Sequence, residues 1–255
     1  MDPMSRRFLT PRWIAAHVVV MVVASVFIRL GIWQLDRLEA RRSHNDTVAG
    51  RTTQQPVELN RLLADVPTDE LEYRRTVARG TFDVDEEILV RSRTYNGEAG
   101  FHVVTPLVTE PGVAVLVNRG WVPLDLDHPP VSPAFPPTGQ VEVTGTVRDS
   151  QSAPALGPRD PSDERLERVY WIDIPRIQQQ SGYLLAPVSI ELRSQVPAQT
   201  GSLPVPVPAP GLSEGSHFAY AIQWFAFALI GLGGYGALLR RSRKTGGVGE
   251  SDLPG

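Results

Sequence analysis

Two long apolar runs bracket a chain whose middle alternates apolar and polar residues over short stretches. The first, WIAAHVVVMVVASVFIRLGIW, reaches from Trp13 to Trp33, and the second fills Phe218–Leu239, which carries no charged residue. At ~1.5 Å per residue, each run makes a helix long enough to cross a hydrocarbon core of ~30 Å. The tryptophans that close the first run are spaced for two interfacial belts, and the run passes into charged GIWQLDRLEARR without a small-residue cleavage site. It therefore reads as an uncleaved span and not as a signal peptide. Arg29, near its outer end, can snorkel toward headgroups, and His17 lies at the inner boundary. After Trp33, Leu35 and Leu38 keep helical spacing while Asp36, Arg37, Glu39, Arg41 and Arg42 alternate in sign. The helix is predicted to project beyond the bilayer with a solvated surface, on which Arg37 is either an ordinary surface charge or a grip for an anion.

The middle of the chain reads as strands. A short helix is predicted over Val57–Leu63, ended by Pro67. Strands follow at YRRTVARGTF from Tyr73, EILVRSRTYNG from Glu87, GFHVVTPLVT from Gly100, VAVLVNRGWV from Val113 and QVEVTGTVR from Gln140. The last is the clearest, with Val141, Val143 and Val147 on one face and Glu142, Thr144, Thr146 and Arg148 on the other. Asn96-Gly97 and Pro111-Gly112 are turn dipeptides, so neighbouring strands are expected to form antiparallel hairpins. Val113–Val117 is apolar almost throughout and predicts a central strand covered on both faces. Pro123–Pro137 and Ser150–Arg168 have no folding pattern and are expected to be loops. A helix near Asp173–Gln180 closed by Gly182, and a last strand over Pro187–Leu192, complete the domain. The proline-rich stretch LPVPVPAPG, near 203–211, reads as a stiff spacer leading back to the second apolar run.

The expected class is an α+β membrane protein, with two transmembrane helices flanking one β-rich, mainly antiparallel extracytoplasmic domain. Its divisions are a cytoplasmic N-terminus (1–12), a first span (13–33), the outer domain (34–216), a second span (217–239) and a basic, disordered tail (240–255). Orientation follows from charge. Arg240, Arg241, Arg243 and Lys244 close the second run, whereas Ser194–Leu239 contains no Lys or Arg, so the C-terminus is expected on the cytoplasmic side. Both termini are then inside. Only about a dozen residues precede the first span, too few for a mitochondrial transit sequence, and the expected location is a bacterial plasma membrane.

Composition narrows the function. The 25 basic and 28 acidic residues give no strong field, which disfavours a nucleic-acid partner. The absence of cysteine removes disulfides, thiolate metal sites and cysteine nucleophiles. Three methionines, Met1, Met4 and Met21, all lie outside the predicted domain and do not suit a soft copper site. No nucleophile elbow, metalloprotease helix, phosphate-binding loop or telling carboxylate pair is present, so an enzyme is not expected. The five histidines, His17, His44, His102, His128 and His217, are scattered.

His217 stands apart because of its surroundings. With Ala221, Trp224 and Ala228 it falls at i, i+4, i+7 and i+11, so that one ridge carries an imidazole, an aromatic plane and two small residues, with Tyr220 nearby. One reading is a platform for a flat apolar ligand, the imidazole serving as an axial ligand to haem iron. The other is that Ala221 and Ala228 let the two spans pack closely, as Gly233 and Ala237 do further along, while His217 caps an interfacial helix start.

The chain resembles the Surfeit locus protein 1 family in a series of short tags taken in order. These are Trp33-Gln34 with Arg37; Arg79-Gly80-Thr81-Phe82; Gly100 with Thr105-Pro106-Leu107; Val117-Asn118-Arg119-Gly120-Trp121-Val122-Pro123; and His217-Phe218-Ala219-Tyr220-Ala221 with Gln223-Trp224-Phe225. Members of that family are assembly factors for haem-copper terminal oxidases, chiefly cytochrome c oxidase, and bacterial members are implicated in handling haem a. The resemblance implies transient haem a binding here, with His217 at the position of the family histidine proposed to ligate the iron. Tyr220 and Trp224 would lie against the macrocycle and Arg119 would meet a propionate. Gly120 and Trp121 look like turn and packing residues. The implied partners are the oxidase core subunit, haem a synthase and the lipid bilayer. The alternative of another class is a scaffold without haem that stabilises an oxidase assembly intermediate. This sequence departs from the family pattern in its long proline spacer before Leu212-Ser213-Glu214-Gly215-Ser216 and in its expanded Pro123–Pro137 loop.

Overall fold

A computed structural model describes residues 10–161 and 164–245 and separates into two compact units: residues up to Thr47 with those from Leu212 onward, and Val48–Gly211. Of the expected N-terminal stretch (1–12) and tail (240–255), the parts before Thr10 and after Thr245 lie outside the described residues, and residues 240–245 are helical, continuing the helix that begins at His217.

The first unit is helical. Helix α1 runs without interruption through Pro11–Thr52, its last turns belonging to the second unit, and the helix here called α4 occupies His217–Thr245. Both are long and apolar enough to cross a membrane, and their apolar stretches are largely uncovered by protein. The side chains of Val18, Val19, Met21 and Val22 on α1, and of Leu229 and Ile230 on α4, are exposed. Ala24, Ala221 and Ala228 are buried, and Gly31 is so close to the Phe225 ring that a Cβ there would come within 2.6 Å of it. Small residues thus set the contact between the two helices.

The second unit is a sheet. Its strands are β1 (Val57–Glu58), β2 (Arg75–Phe82), β3 (Ile88–Tyr95), β4 (Glu98–Glu110), β5 (Val113–Pro123), β6 (Gln140–Asp149), β7 (Arg168–Val169) and β8 (Leu184–Val196). Two helices accompany them, α2 (Leu59–Asp65) and α3 (Ile174–Gln178). The order is β1-β2-β6-β8-β5-β4-β3-β7, and β2 also pairs with β4, Thr81 opposite Val108, so that β2, β6, β8, β5 and β4 close a ring. Gly80 permits the closure, since a Cβ there would lie 2.2 Å from the Val108 carbonyl oxygen. Phe82, Leu107, Val115, Val117, Val143 and Ile190, drawn from all five strands, belong to one core cluster with Leu59 and Leu62 of α2. A second cluster covers the other face of β3, β4 and β5 with Leu166, Ile172, Ile174 and Ile177. Asp173 caps α3 by accepting the Arg176 N–H at 3.0 Å.

The hairpins form where the turn dipeptides predict them, but the sheet is mixed and not mainly antiparallel. β1 runs parallel to β2, β7 to β3 and β8 to β5. Turn chemistry fixes only local pairs, whereas β8 arrives after the long crossover that contains α3 and inserts between β5 and β6. β8 is also longer than Pro187–Leu192, and Val57 starts a strand instead of a helix.

The Pro123–Pro137 loop and the expected proline spacer are both tied into the domain. In the Pro123–Pro137 loop, Val131 and Ala134 are buried with Leu89, Phe101, Val103 and Val122. The proline-rich stretch is not a free spacer: Val205 exchanges both backbone hydrogen bonds with Trp121, at 2.7 and 2.8 Å, and the Val207 carbonyl accepts from Arg193 at 2.6 Å. Gly120, at φ 137°, makes room for this stretch, because a Cβ there would lie 2.2 Å from the Val205 oxygen.

Candidate functional site

The approach to α4 is pinned to α1 by polar residues beyond the first apolar run. Asn45 donates from Nδ2 to the Leu212 carbonyl at 2.9 Å and Arg41 to the Ser213 carbonyl at 3.1 Å. Arg42 grips both carboxylate oxygens of Glu214, at 3.0 and 2.9 Å. Arg41 and Arg42 lie on the part of α1 that sequence reading gave a solvated, alternating face. Arg37 on the same stretch lies over the Trp33 ring at 5.5 Å.

His217 opens α4 three residues after Glu214 of this clamp, half-buried, with its Nδ1 at 2.9 Å from Gln34 Oε1. An amide oxygen only accepts, so Nδ1 carries the proton and donates. The neutral ring then keeps its lone pair on Nε2, the arrangement required of an imidazole that is to ligate a metal. Gly215, at φ 71°, lies on that side of the ring, and a Cβ there would come within 3.7 Å of Nε2. Glycine leaves the nitrogen approachable. Among the described residues no group of three or more His, Asp or Glu is placed to hold a metal ion.

The remaining members of the ridge face α1. Ala221 and Ala228 are buried, and Trp224 packs against Phe27 with ring centroids 5.6 Å apart. Phe227 meets both Phe27 and Trp224 at 5.9 Å. Further along, Tyr235 Oη lies 2.6 Å from His17 Nδ1. The gap left between the helices is about 90 Å³, well below the ~300 Å³ at which ligand pockets begin. The close-packing reading of Ala221 and Ala228 is the one the structure supports, and the ridge is no open platform. Tyr220 is 49% exposed.

Arg119 belongs to the other unit and is buried there. Its Nη1 lies 3.4 Å from Glu87 Oε2 with both side chains fully enclosed, and Nη2 donates to the Ala134 carbonyl at 2.5 Å and to Gln199 Oε1 at 3.2 Å. Glu87 also accepts from Thr105 Oγ1 and from the Val131 N–H, each at 2.8 Å. The Phe82 ring lies 5.4 Å from the guanidinium carbon. Burial pushes the Glu87 carboxyl up and lowers Arg119 to about 10, the loss of hydration outweighing their mutual attraction. Arg119 here binds the expanded loop to the ring. Several tags of the resemblance have similar duties: Gly80 and Gly120 admit neighbouring backbone, and a Cβ at Gly100 would strike the Val122 oxygen at 2.1 Å and the Trp121 ring at 2.6 Å.

Gln34 and Glu87 were not singled out by sequence reading. Gln34 carried one signal, its place in the Trp33-Gln34 tag; Glu87 carried none, standing at the head of a strand where a charge is ordinary.

A match to the SURF1 family covers residues 21–229, from within α1 to within α4, and includes the whole sheet. The chain belongs to the SURF1 family. It is 32% identical over 256 residues to a SURF1-like protein of Mycobacterium tuberculosis, covering 96% of this chain and 92% of that protein. A SURF1-like protein of Monosiga brevicollis is 28% identical over 240 residues (90% and 89%), and Surfeit locus protein 1 of Takifugu rubripes 26% over 224 residues (81% and 89%). The SURF1 match therefore extends across the His217–Gln34 pair and the Arg119–Glu87 pair alike.

Proposed function

We propose that this SURF1-family protein is a membrane-anchored assembly factor for a haem-copper oxidase, binding haem a transiently through His217 and delivering it to the oxidase core subunit. The observation that carries the reading is the hydrogen bond from His217 Nδ1 to Gln34 Oε1, which leaves Nε2 as a free lone pair beside Gly215. Haem a, when bound, supplies an iron that accepts an imidazole nitrogen. Gln34 fixes the tautomer and orientation of the ring, and the Asn45, Arg41 and Arg42 clamp holds the start of α4 against α1. In this reading exposed Tyr220 meets the macrocycle, whereas Trp224 serves the packing of the two helices. A single neutral ligand suits temporary holding. In this reading both helices cross a bacterial plasma membrane, both termini are cytoplasmic, the sheet domain is extracytoplasmic, and haem a synthase is the donor. The protein has no catalytic turnover of its own.

The test is the optical spectrum of the detergent-purified full chain produced with and without haem a synthesis. A haem a spectrum that follows supply and is reduced in Gln34→Ala, with helix content unchanged, supports the reading. A folded wild type that stays haem-free under adequate supply removes it. The second reading, a scaffold without haem, is favoured by the burial of Ala221 and Ala228 against α1. It predicts that oxidase subunits co-purify whether or not haem a is made.

A further inference from the structure

A row of polar side chains crosses the outer face of the ring where alternation calls for roofed residues. His102 shares the face of Val104 on β4, and Asn118 that of Ala114 and Leu116 on β5, three apolar residues that lie in the cluster under Ile172 and Ile174. Asn118 is paired across the sheet with Glu191 of β8. Arg93 joins from β3, opposite Gly100, just beyond the irregularity at Ser92. At this polar end the cover leaves a cavity of about 250 Å³, walled also by Arg148, Trp171 and Ile172.

The charges in this cavity do not cancel. Glu191 is ion-paired with Arg193. Arg148 lies 3.5 Å from Glu72 and 4.5 Å from the centre of the Tyr73 ring. Arg93 makes no ion pair among the described residues; its partner is the Tyr170 carbonyl, at a long 3.4 Å. Burial lowers the pKa of Arg93, and no carboxylate opposes the shift. A half-buried guanidinium without a counter-anion is a costly arrangement that a bound carboxylate would relieve through paired N–H donors.

His102 supplies a second donor. Asn118 Oδ1 accepts the Gly120 N–H at 3.3 Å, which turns Asn118 Nδ2 toward His102 Nδ1 at 3.1 Å. The imidazole therefore accepts at Nδ1 and carries its proton on Nε2. Burial, helped by Arg93, lowers His102 to about 4, so the ring is neutral at neutral pH. Trp171, fixed by its indole N–H to the Pro158 carbonyl at 3.1 Å, and Ile172 add apolar wall beside these donors.

We propose that this cavity binds a small organic acid, its carboxylate held by Arg93 and the His102 Nε2–H and its organic part against Trp171 and Ile172. The site is independent of His217 and of haem. Its size, just under the usual lower bound for ligand pockets, suits an acid with one ring or a short chain.

Isothermal titration of the purified full chain with benzoate, its neutral isostere benzamide, and inorganic phosphate tests the assignment. Benzoate is expected to bind saturably at one site and benzamide not to bind. Arg93→Gln weakens benzoate at least ~10-fold, while Arg93→Lys keeps an intermediate affinity. Melting temperatures establish that both variants fold. If Arg93→Gln does not fold, the benzoate–benzamide difference and Arg93→Lys decide. Equal behaviour of benzoate and benzamide, or unaltered benzoate affinity in folded Arg93→Gln, overturns the site. Arg93-dependent binding of phosphate without benzoate overturns the carboxylate assignment.

Discussion

His217 Nδ1 and Gln34 Oε1 lie 2.9 Å apart, although 183 positions separate the two residues in the chain. The pair brings together the first and last tags of the family pattern and gives each a physical role, since one residue offers a nitrogen and the other decides which nitrogen. In the proposed function Gln34 is a positioning residue. Replacing it with Leu removes the acceptor without adding charge, and outer partners of this kind are worth roughly 10- to 100-fold in metal affinity. Gln34→Leu is expected to lower haem a occupancy by that order while circular dichroism stays unchanged; haem a retention equal to wild type would show that the hydrogen bond is incidental.

The buried Arg119–Glu87 pair joins the ring to the expanded loop. Glu87→Ala leaves Arg119 uncompensated in the interior and is expected to cost ~3–5 kcal/mol, seen as a large fall in the thermal midpoint of the full chain. The raised carboxyl of Glu87 has a definite sign in pH. The folded state holds that proton more tightly than the unfolded state, so the contribution of Glu87 is most favourable below the ordinary carboxylate range. It declines as pH rises through its raised pKa.

His102 acts in the opposite sense. Its folded pKa is about 4 against an ordinary 6.5, so the unfolded state binds the proton first. Its contribution is complete above 6.5 and is lost as pH falls toward 4, with Arg93, Arg148 and Glu191 the charged groups lining the same cavity. Melting curves at pH 7 and pH 5 are expected to show wild type losing stability on acidification and His102→Gln losing less. Parallel losses in the two proteins would remove His102 from the account.

Ring closure depends on Gly80. Gly80→Ala forces a Cβ to 2.2 Å from the Val108 oxygen and is expected to destabilise by at least ~1–3 kcal/mol. Gly50→Ala, on exposed α1 with open space around it, is expected to be neutral or to stabilise by up to ~1 kcal/mol. Similar midpoints for the two variants would contradict the closed ring.

The absence of cysteine makes the proposed topology directly measurable. A cysteine introduced at Leu156, which is 95% exposed in the sheet domain, is expected to react with an impermeant maleimide added to intact cells, and one at Arg241 to react only after lysis. The reverse pattern would invert the protein in the membrane.

How much of this was legible in the chain depended on how local the cause was. The centrality of β5 was visible in the unbroken apolar run Val113–Val117, and β6 in the alternation of Val141, Val143 and Val147, because each pattern is a record of burial. Turn dipeptides marked the β3–β4 and β4–β5 hairpins. The parallel position of β8 was not visible, since nothing in Leu184–Val196 states which strands it will join after a long crossover. Val131 and Ala134 gave no sign of burial, lying in a proline-rich loop without periodicity. At the candidate site, His217 was found by its neighbours along one helix, but its dependence on Gln34 crosses between helices and no periodicity encodes it.

The most direct measurement is haem a binding by purified His217→Ala with and without added imidazole, beside wild type. Removing the side chain is expected to abolish the haem a spectrum, and free imidazole, which fills the space and restores a neutral nitrogen ligand, is expected to recover it in part. Full haem a occupancy in His217→Ala without imidazole would contradict the assignment of His217 as the iron ligand.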